Sequence, residues 1–383
     1  MAAKVRIGFV GAGFMGQLAH IRSYALLRDE CELVALAEPR QQTAQLVAAR
    51  YGIGTVYRDH RELLESETLD GIVACQHFTH HAALLPELYA RVPHLFTEKP
   101  LALAPATGDR LAELARTSGC THMVGYHRRC DPATREAKRT VDSWKASGEM
   151  GPLRYARICY VDGDWIANAN ADLIDAGEEW PSSFPEEPPP ELDDDALSAL
   201  RTGANELVHP LNLLRHLLGE RYRVVFAHAS GRLYVFESES GVPATIEVAP
   251  YRATDRLDEE ALVTFERGYV RLRPAPALAI NRAGTLEVYR DPGGDAAPER
   301  TAPQLPAVDP MHAQAAEFLR VCRGEAEPPT GAAEAAEDLH LVSDLVGMRM
   351  ALPGAREALH AEREARGRMW EERVRGMKPP RRR

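Results

Sequence analysis

The stretch Arg6-Ile-Gly-Phe-Val-Gly-Ala-Gly-Phe-Met-Gly-Gln-Leu-Ala-His20 constrains this chain more than any other. Val5, Ile7, Phe9 and Val10 read as a buried strand, and Gly11, Gly13 and Gly16 read as a tight turn opening a helix. In such a turn the first glycine permits the sharp bend, the second lets bare backbone approach a pyrophosphate, and the third lets the helix pack close to the sheet. The pyrophosphate then rests on the free N–H groups at the helix N-terminus, where the helix dipole favours negative charge, with Phe14 and Met15 in the same turn. Glycine turns between strand and helix also arise for purely structural reasons. Here a second strand, Glu32-Leu-Val-Ala-Leu-Ala-Glu38, ends in a carboxylate roughly 20 residues beyond the last glycine, as a dinucleotide-binding βαβ unit requires.

A chain of 383 residues holds two domains of ordinary size. With 46 basic and 56 acidic side chains it lacks the basic balance of a broad nucleic-acid binder. The first strand starts within about five residues, leaving no room for a signal peptide, and no apolar run approaches the roughly 20 residues of a membrane span. A soluble cytoplasmic protein, with no nucleic-acid or membrane partner, is the expectation. The six cysteines show neither C-x-x-C pairs nor zinc spacing, and read as reduced, mostly buried small hydrophobes.

Residues 1–125 alternate strands and helices in the doubly wound α/β manner, predicting a mainly parallel sheet with helices on both faces. Ligands lie beyond the carboxyl ends of such strands. Chemistry is therefore expected at Cys75 to His81, at Glu98 to Pro100 and at Tyr126 to Asp131. Residues 126–355 form a second domain. From about residue 150 its alternating segments, beginning with Leu153 to Val161 and ending with Leu286 to Tyr289, predict a large, mostly antiparallel sheet with one covered face. Such a face often packs on a copy of itself, so a homodimer or homotetramer through this sheet is expected. Asp172 to Ser198, with its prolines and Asp193-Asp194-Asp195, reads as a solvated loop or as a lid that contacts substrate. Residues 356–383 read as an exposed charged helix and a frayed basic tail.

Glu98-Lys99-Pro100 follows a strand directly. It is either a solvated turn or, beside a nicotinamide, a site where Lys99 holds the oxygen of an alcohol as hydride leaves its carbon. In Gly203 to Gly219, helical by its leucine spacing, Asn205 and His209 stand one turn apart on one face, and Pro210 places the helix start near Asn205. A lone helical histidine is usually a surface or satisfied core residue, and an acid–base role for His209 is the sharper alternative. Gln76, His77 and His80 read as a polar rim beside the nicotinamide; they lack the register and nearby carboxylates of a metal site, so no metal is expected.

With these pieces in order, the chain resembles the Gfo/Idh/MocA family of dehydrogenases, named for glucose-fructose oxidoreductase, inositol dehydrogenase and rhizopine catabolism. The resemblance runs from Arg6 to about Met350. It rests on Gly11-Ala-Gly-Phe-Met-Gly16, Glu98-Lys-Pro100, Val124-Gly-Tyr-His-Arg-Arg-Cys-Asp-Pro132 and the segment His209-Pro-Leu-Asn-Leu-Leu-Arg-His-Leu-Leu-Gly219, with an echo in Phe265-Glu-Arg-Gly-Tyr-Val-Arg-Leu-Arg273. It implies a Rossmann domain, a C-terminal α/β domain that mediates oligomers, a bound nicotinamide cofactor, and substrates that are mostly sugars, sugar derivatives or cyclitols. By position, Lys99 matches the family's active-site lysine and His209 its catalytic histidine, while His127 and Arg129 border the pocket; Asp164 and Trp165 complete the expected substrate contacts. Asn205 stands where the family usually has aspartate, and Cys75-Gln76-His77 where it has Thr-Pro-Asn. An amide orients an imidazole but cannot stabilise its cation by charge.

The implied reaction is reversible, NAD(P)-dependent oxidation of a secondary alcohol on a polyol ring. Glu38 is expected to bind the adenosine ribose hydroxyls and repel a 2′-phosphate, favouring NAD, whereas Arg40 would greet that phosphate and leave NADP possible. Two rival readings are a redox-neutral enzyme that oxidises and re-reduces a sugar transiently, and a non-catalytic sugar or nucleotide sensor.

Overall fold

In a computed structural model, which describes residues 3–161, 163, 165–166, 173–180, 185–248 and 257–376, the first strand β1 (Val5–Val10) takes the middle of a six-stranded parallel sheet. Its near-continuous apolar character follows from that place, because helices cover both faces of such a sheet. The order β3-β2-β1-β4-β5-β6 also uses β2 (Cys31–Ala37), β3 (Thr55–Tyr57), β4 (Gly71–Ala74), β5 (His94–Glu98) and β6 (Thr121–Gly125). β1 pairs with both β2 and β4, so the reversal of strand order falls at its carboxyl end, where the glycine turn leaves the sheet. That crevice is where such folds bind ligands.

The turn opens into a π-helical stretch, Gly16–Ile21, and then α1 (Arg22–Leu26). The other covering helices are α2 (Gln41–Tyr51), α3 (His60–Ser66), α4 (His81–Tyr89) and α5 (Pro105–Ser118). α5 shows how sequence sets the bounds: proline occupies its first turn, and Gly119 ends it at φ 75°, a left-handed cap that glycine adopts without strain.

The second sheet has eight strands in the order β14-β13-β12-β11-β7-β10-β9-β8. These are β7 (Leu153–Val161), β8 (Tyr222–Ala227), β9 (Leu233–Ser238), β10 (Pro243–Val248), β11 (Asp258–Phe265), β12 (Gly268–Arg273), β13 (Thr285–Arg290) and β14 (Glu299–Thr301). Every pairing is antiparallel except that of β7 with β10. Along β11 half-buried and fully buried residues alternate, as the one-covered-face reading expects.

Four elements depart from the reading of the sequence. α6 (Pro132–Ser147) fills a stretch left unassigned, with Asp131 accepting from the Ala133 N–H at 2.8 Å at its start. The segment read as a loop through Ser198 instead gives way to α7 (Asp194–Thr202). The acidic run is a helix start: the Asp193 carboxylate accepts from the Ala196 N–H at 2.9 Å, and Asp194 and Asp195 sit in the first turn, where the helix dipole favours negative charge. α7 runs on through a π-helical turn, Gly203–Leu207, into α8 (Val208–Leu218), so the helix does not begin near Asn205 as Pro210 suggested. β14 is a short exposed edge strand without apolar alternation.

The last helices return to the first domain. α9 (Pro310–Cys322) places Phe318 and Leu319 in one core with Phe9 and Phe96, the Phe96 and Phe318 rings meeting edge-on at 5.7 Å. α10 (Ala332–Met350) packs on α5, where a Cβ at Gly108 would come within 2.6 Å of Leu339. α11 (Ala355–Gly376) is tied to the start of α7 by Arg356 on Asp193, at 2.8 Å, and His360 on Asp195, at 2.8 Å. No helix among the described residues is long and apolar enough to cross a membrane. The basic tail lies outside the described residues.

Candidate active site

The glycine turn has the shape its spacing predicts. Gly11 adopts φ 96°, and a Cβ on Gly16 would stand 2.6 Å from the Gly11 carbonyl oxygen, so neither position tolerates a side chain. A Cβ on Gly13 would meet only the edge of an indole, leaving its backbone bare on the crevice side. Glu38, buried at the end of β2, accepts from the Ala12 N–H at 2.8 Å, locking the turn to the second strand. Arg40 folds back on the same carboxylate, its Nε donating to Glu38 Oε1 at 2.9 Å and its Nη2 to the Ala12 carbonyl at 3.1 Å. Phe14 packs edge-on to Trp165 at 6.0 Å, and Met15 joins the same apolar cluster.

After β4, Gln76 lays its amide nitrogen against the bare face of Gly11. His77 Nδ1 pairs with the Thr79 hydroxyl at 2.8 Å, and His80 Nδ1 donates to the Pro185 carbonyl at 3.2 Å. Among the described residues no group of three His, Cys, Asp or Glu side chains could hold a metal ion.

The carboxyl end of β5 meets the junction of α7 and α8. Lys99 Nζ donates to the Asn205 carbonyl at 2.7 Å and to Asn205 Oδ1 at 3.1 Å. Pro210 has no N–H to return to the preceding helical turn, which leaves an acceptor there open, and the π-helical widening turns the Asn205 carbonyl towards Lys99. Desolvation is the largest influence on Lys99, and with the Arg128 charge it outweighs the favourable Glu98 and Glu206 carboxylates and pushes the ammonium down to about 8. His209 is lowered well below its ordinary 6.5, first by desolvation and then by the charges of Arg128 and Lys99. Its ring stands 5.4 Å from that of His127, edge to face, and both His209 Nδ1 and His127 Nε2 are buried without a partner among the described residues. Lys99, Asn205, His127 and His209 thus converge at the crevice edge.

One expected contact falls elsewhere. Arg129 turns away, its Nη2 donating to Glu334 Oε1 at 2.6 Å and to the Asn212 carbonyl at 3.1 Å. Asp164 lies outside the described residues.

Three further groups belong to this site. Arg128 is buried beside His209 and Lys99 and makes a forked pair with Glu259 of β11, Nε to Oε2 at 2.8 Å and Nη2 to Oε2 at 2.6 Å, while its Nη1 has no partner among the described residues. Glu259 shares its strand face with Ala261, Val263 and Phe265, so the alternation itself marks it as an inward-facing carboxylate. His20, buried in the π-helical stretch, pairs with Glu98 at 2.7 Å and joins the glycine-led helix to the residue preceding Lys99.

Residues 5–126 match the family model described as the oxidoreductase family with an NAD-binding Rossmann fold, GFO_IDH_MocA. The chain is 24% identical over 245 residues to the myo-inositol 2-dehydrogenase of Thermotoga maritima, an alignment covering 64% of this chain and 63% of that protein. It is 29% identical over 180 residues to the scyllo-inositol 2-dehydrogenase (NAD(+)) of Bacillus subtilis, covering 46% of this chain and 51% of that one. The matched part therefore spans between half and two thirds of these relatives. The crystal structure of an NAD binding oxidoreductase from Klebsiella pneumoniae superposes with a TM-score of 0.69 over 91% of this chain and 98% of that one, at 18% identity, a likeness of fold alone. With its glycine turn and its Glu98-Lys99-Pro100 turn in place, the segment 5–126 is the NAD-binding Rossmann domain of the Gfo/Idh/MocA oxidoreductase family, and the two-sheet fold of the whole chain is like that of the solved oxidoreductases.

Proposed function

We propose that this protein is a dehydrogenase that interconverts a secondary alcohol and a ketone on a sugar, sugar derivative or cyclitol, with NAD as preferred cofactor. The observation that carries the reading is the meeting of Lys99 from β5 with Asn205 and His209 from the α7–α8 junction, beside the glycine turn. The turn suits a dinucleotide: bare backbone at Gly13, a bend that only glycine takes at Gly11, and a buried carboxylate at Glu38. Gly11 to Gly16 would hold the diphosphate and Glu38 the ribose hydroxyls. Arg40, already engaged by Glu38, is poorly disposed to take a 2′-phosphate, which supports NAD over NADP.

A bound nicotinamide supplies the hydride acceptor, or the donor in the reverse direction. The protein supplies proton handling and charge. His209, held neutral by burial and neighbouring cations, has the free ring nitrogen a general base needs to take the hydroxyl proton. Lys99, anchored on Asn205, presents its ammonium to the developing oxyanion. Arg128, with one unpartnered donor beside both, offers a further hydrogen bond to a ring oxygen. The inositol dehydrogenases among the relatives support a cyclitol as first candidate.

The test is nicotinamide absorbance on mixing the protein with NAD or NADP and a panel of inositols, aldoses and glucosides. Reduction of NAD by one substrate class is expected, and Lys99→Ala is expected to cut the rate at least about 100-fold, as loss of one oxyanion donor does. Cofactor binding with no reduction across the panel would instead favour the redox-neutral or sensor readings.

A further inference from the structure

Residues 173–180, between β7 and α7, cross the carboxyl edge of the first sheet. Ile174 exchanges two hydrogen bonds with the Gln17 side chain, accepting from Nε2 at 2.9 Å and donating to Oε1 at 2.9 Å. The Ala176 N–H donates to the Thr43 hydroxyl at 3.1 Å. The Glu178 carboxylate caps the start of α2, accepting from the Gln42 N–H at 3.0 Å and the Thr43 N–H at 2.7 Å. Trp180 then lies with its ring centroid 3.5 Å from the Arg40 guanidinium carbon, and its Cη2 is 3.5 Å from where a Cβ on Gly13 would stand.

Such a fit is not that of a solvated loop. Trp180 is 65% exposed, yet one of its faces is laid on Arg40 and its Cη2 edge reaches Gly13, the two groups that border the diphosphate and ribose end of the crevice. An anionic side chain on a helix N-terminus and an aromatic ring on a guanidinium are also the contacts a dinucleotide's phosphates and adenine would make. The indole and a diphosphate cannot share the bare backbone at Gly13.

We propose that residues 173–180 are an intramolecular plug on the adenosine end of the crevice, with Trp180 occupying the path of the cofactor, so that plug and dinucleotide bind in competition. This rests on the dinucleotide reading of the glycine turn. Competition lowers the apparent affinity by the fraction of molecules with the plug seated. Removing the stack on Arg40 reduces that fraction, and so does removing the charge on the α2 N-terminus. Neither side chain is buried, so fold is not at stake.

The experiment is calorimetric titration of the full chain, its Trp180→Ala and Glu178→Gln variants with NADH and NADPH. Both variants are expected to bind the preferred dinucleotide about 2- to 5-fold more tightly than the wild type, the range of one exposed cation–π or helix-terminus contact. Unchanged affinity in both would overturn the plug, leaving the segment a bystander. Weaker binding in Trp180→Ala would also overturn it, making the indole a wall of the cofactor site. If neither the wild type nor the variants bind either dinucleotide, the cofactor reading fails and the plug with it. A wild type that binds normally separates the two failures.

Discussion

At the scale of single residues, the proposed chemistry rests on two groups titrating away from their ordinary values in the same direction. Lys99 is pushed down to about 8 and His209 well below 6.5, both chiefly because burial disfavours their cations. A base must be neutral and an oxyanion donor protonated. The proposed alcohol oxidation is therefore expected to run on a plateau whose acid limb, set by His209, lies below 6.5 and whose alkaline limb, set by Lys99, lies near 8. Asn205 contributes an acceptor without charge, 3.1 Å from Lys99 Nζ. Asn205→Asp would place a carboxylate there, favouring both cations and raising both titrations. The expected result is a kcat/KM profile displaced upward at both limbs by about half a unit to one unit. A profile that moves at neither limb would remove Lys99 and His209 as the titrating pair.

At the scale of elements, the junction of α4, β5 and β6 is built on neutral histidines. His81 starts α4 and holds the Leu101 carbonyl at 3.0 Å, while His122 of β6 joins the Tyr89 hydroxyl at 2.8 Å to the Thr97 hydroxyl at 2.9 Å. Burial pushes His81 down to about 4 and His122 down to about 3. Since the folded values lie below the unfolded one, the stability they contribute is present above about 6.5 and is lost as pH falls towards 4, at about 1.4 kcal/mol per pH unit for each ring. His81→Gln, whose amide can still donate to Leu101, is expected to lessen the slope of unfolding free energy between pH 6 and 4 by about that amount, measured by denaturant titration. These elements were legible because apolar runs and glycine stops punctuate them. α6 was not, because its buried stripe of Ala133, Ala137, Val141 and Trp144 carries little apolar mass among many charges. The start of α7 was hidden by the acidic residues that cap it. In the site, Lys99 and His209 could be picked out from motifs. The Arg128–Glu259 pair and the seat of Trp180 on Arg40 could not, because each joins residues more than 100 positions apart.

At the scale of the whole molecule, the eight-stranded sheet separates two environments. One face carries Glu259, Ala261 and Val263 towards α6, α8 and the site; the other carries Leu262 and Thr264 beside a ladder of charges and tyrosines. On that open face Arg157 and Arg273 share Glu260, at 3.1 Å and 2.7 Å, Arg271 meets Glu287 at 2.8 Å, and the Tyr269 and Tyr289 rings stack at 5.4 Å. Exposed ion pairs of this kind contribute little alone, but a broad face of paired charges and aromatic rings is self-complementary under a two-fold axis, because each acid–base row can meet its own reverse. The homo-oligomer expected from the sequence, if it forms through this sheet, would meet on the open face. Leu262, on a strand flanked by β7 and β12, lies in its middle. Leu262→Lys would place a third cation between its cross-strand neighbours Arg157 and Arg271 and bury it at that contact, a penalty of several kcal/mol per copy. Sedimentation velocity is therefore expected to find the wild type as a dimer or larger and the variant as single chains. Dinucleotide affinity should stay within about 2-fold, because Leu262 points away from the face that carries Glu259. A wild type that sediments as a single chain at micromolar concentration would assign the charge ladder to solvent and leave the sheet with one working face.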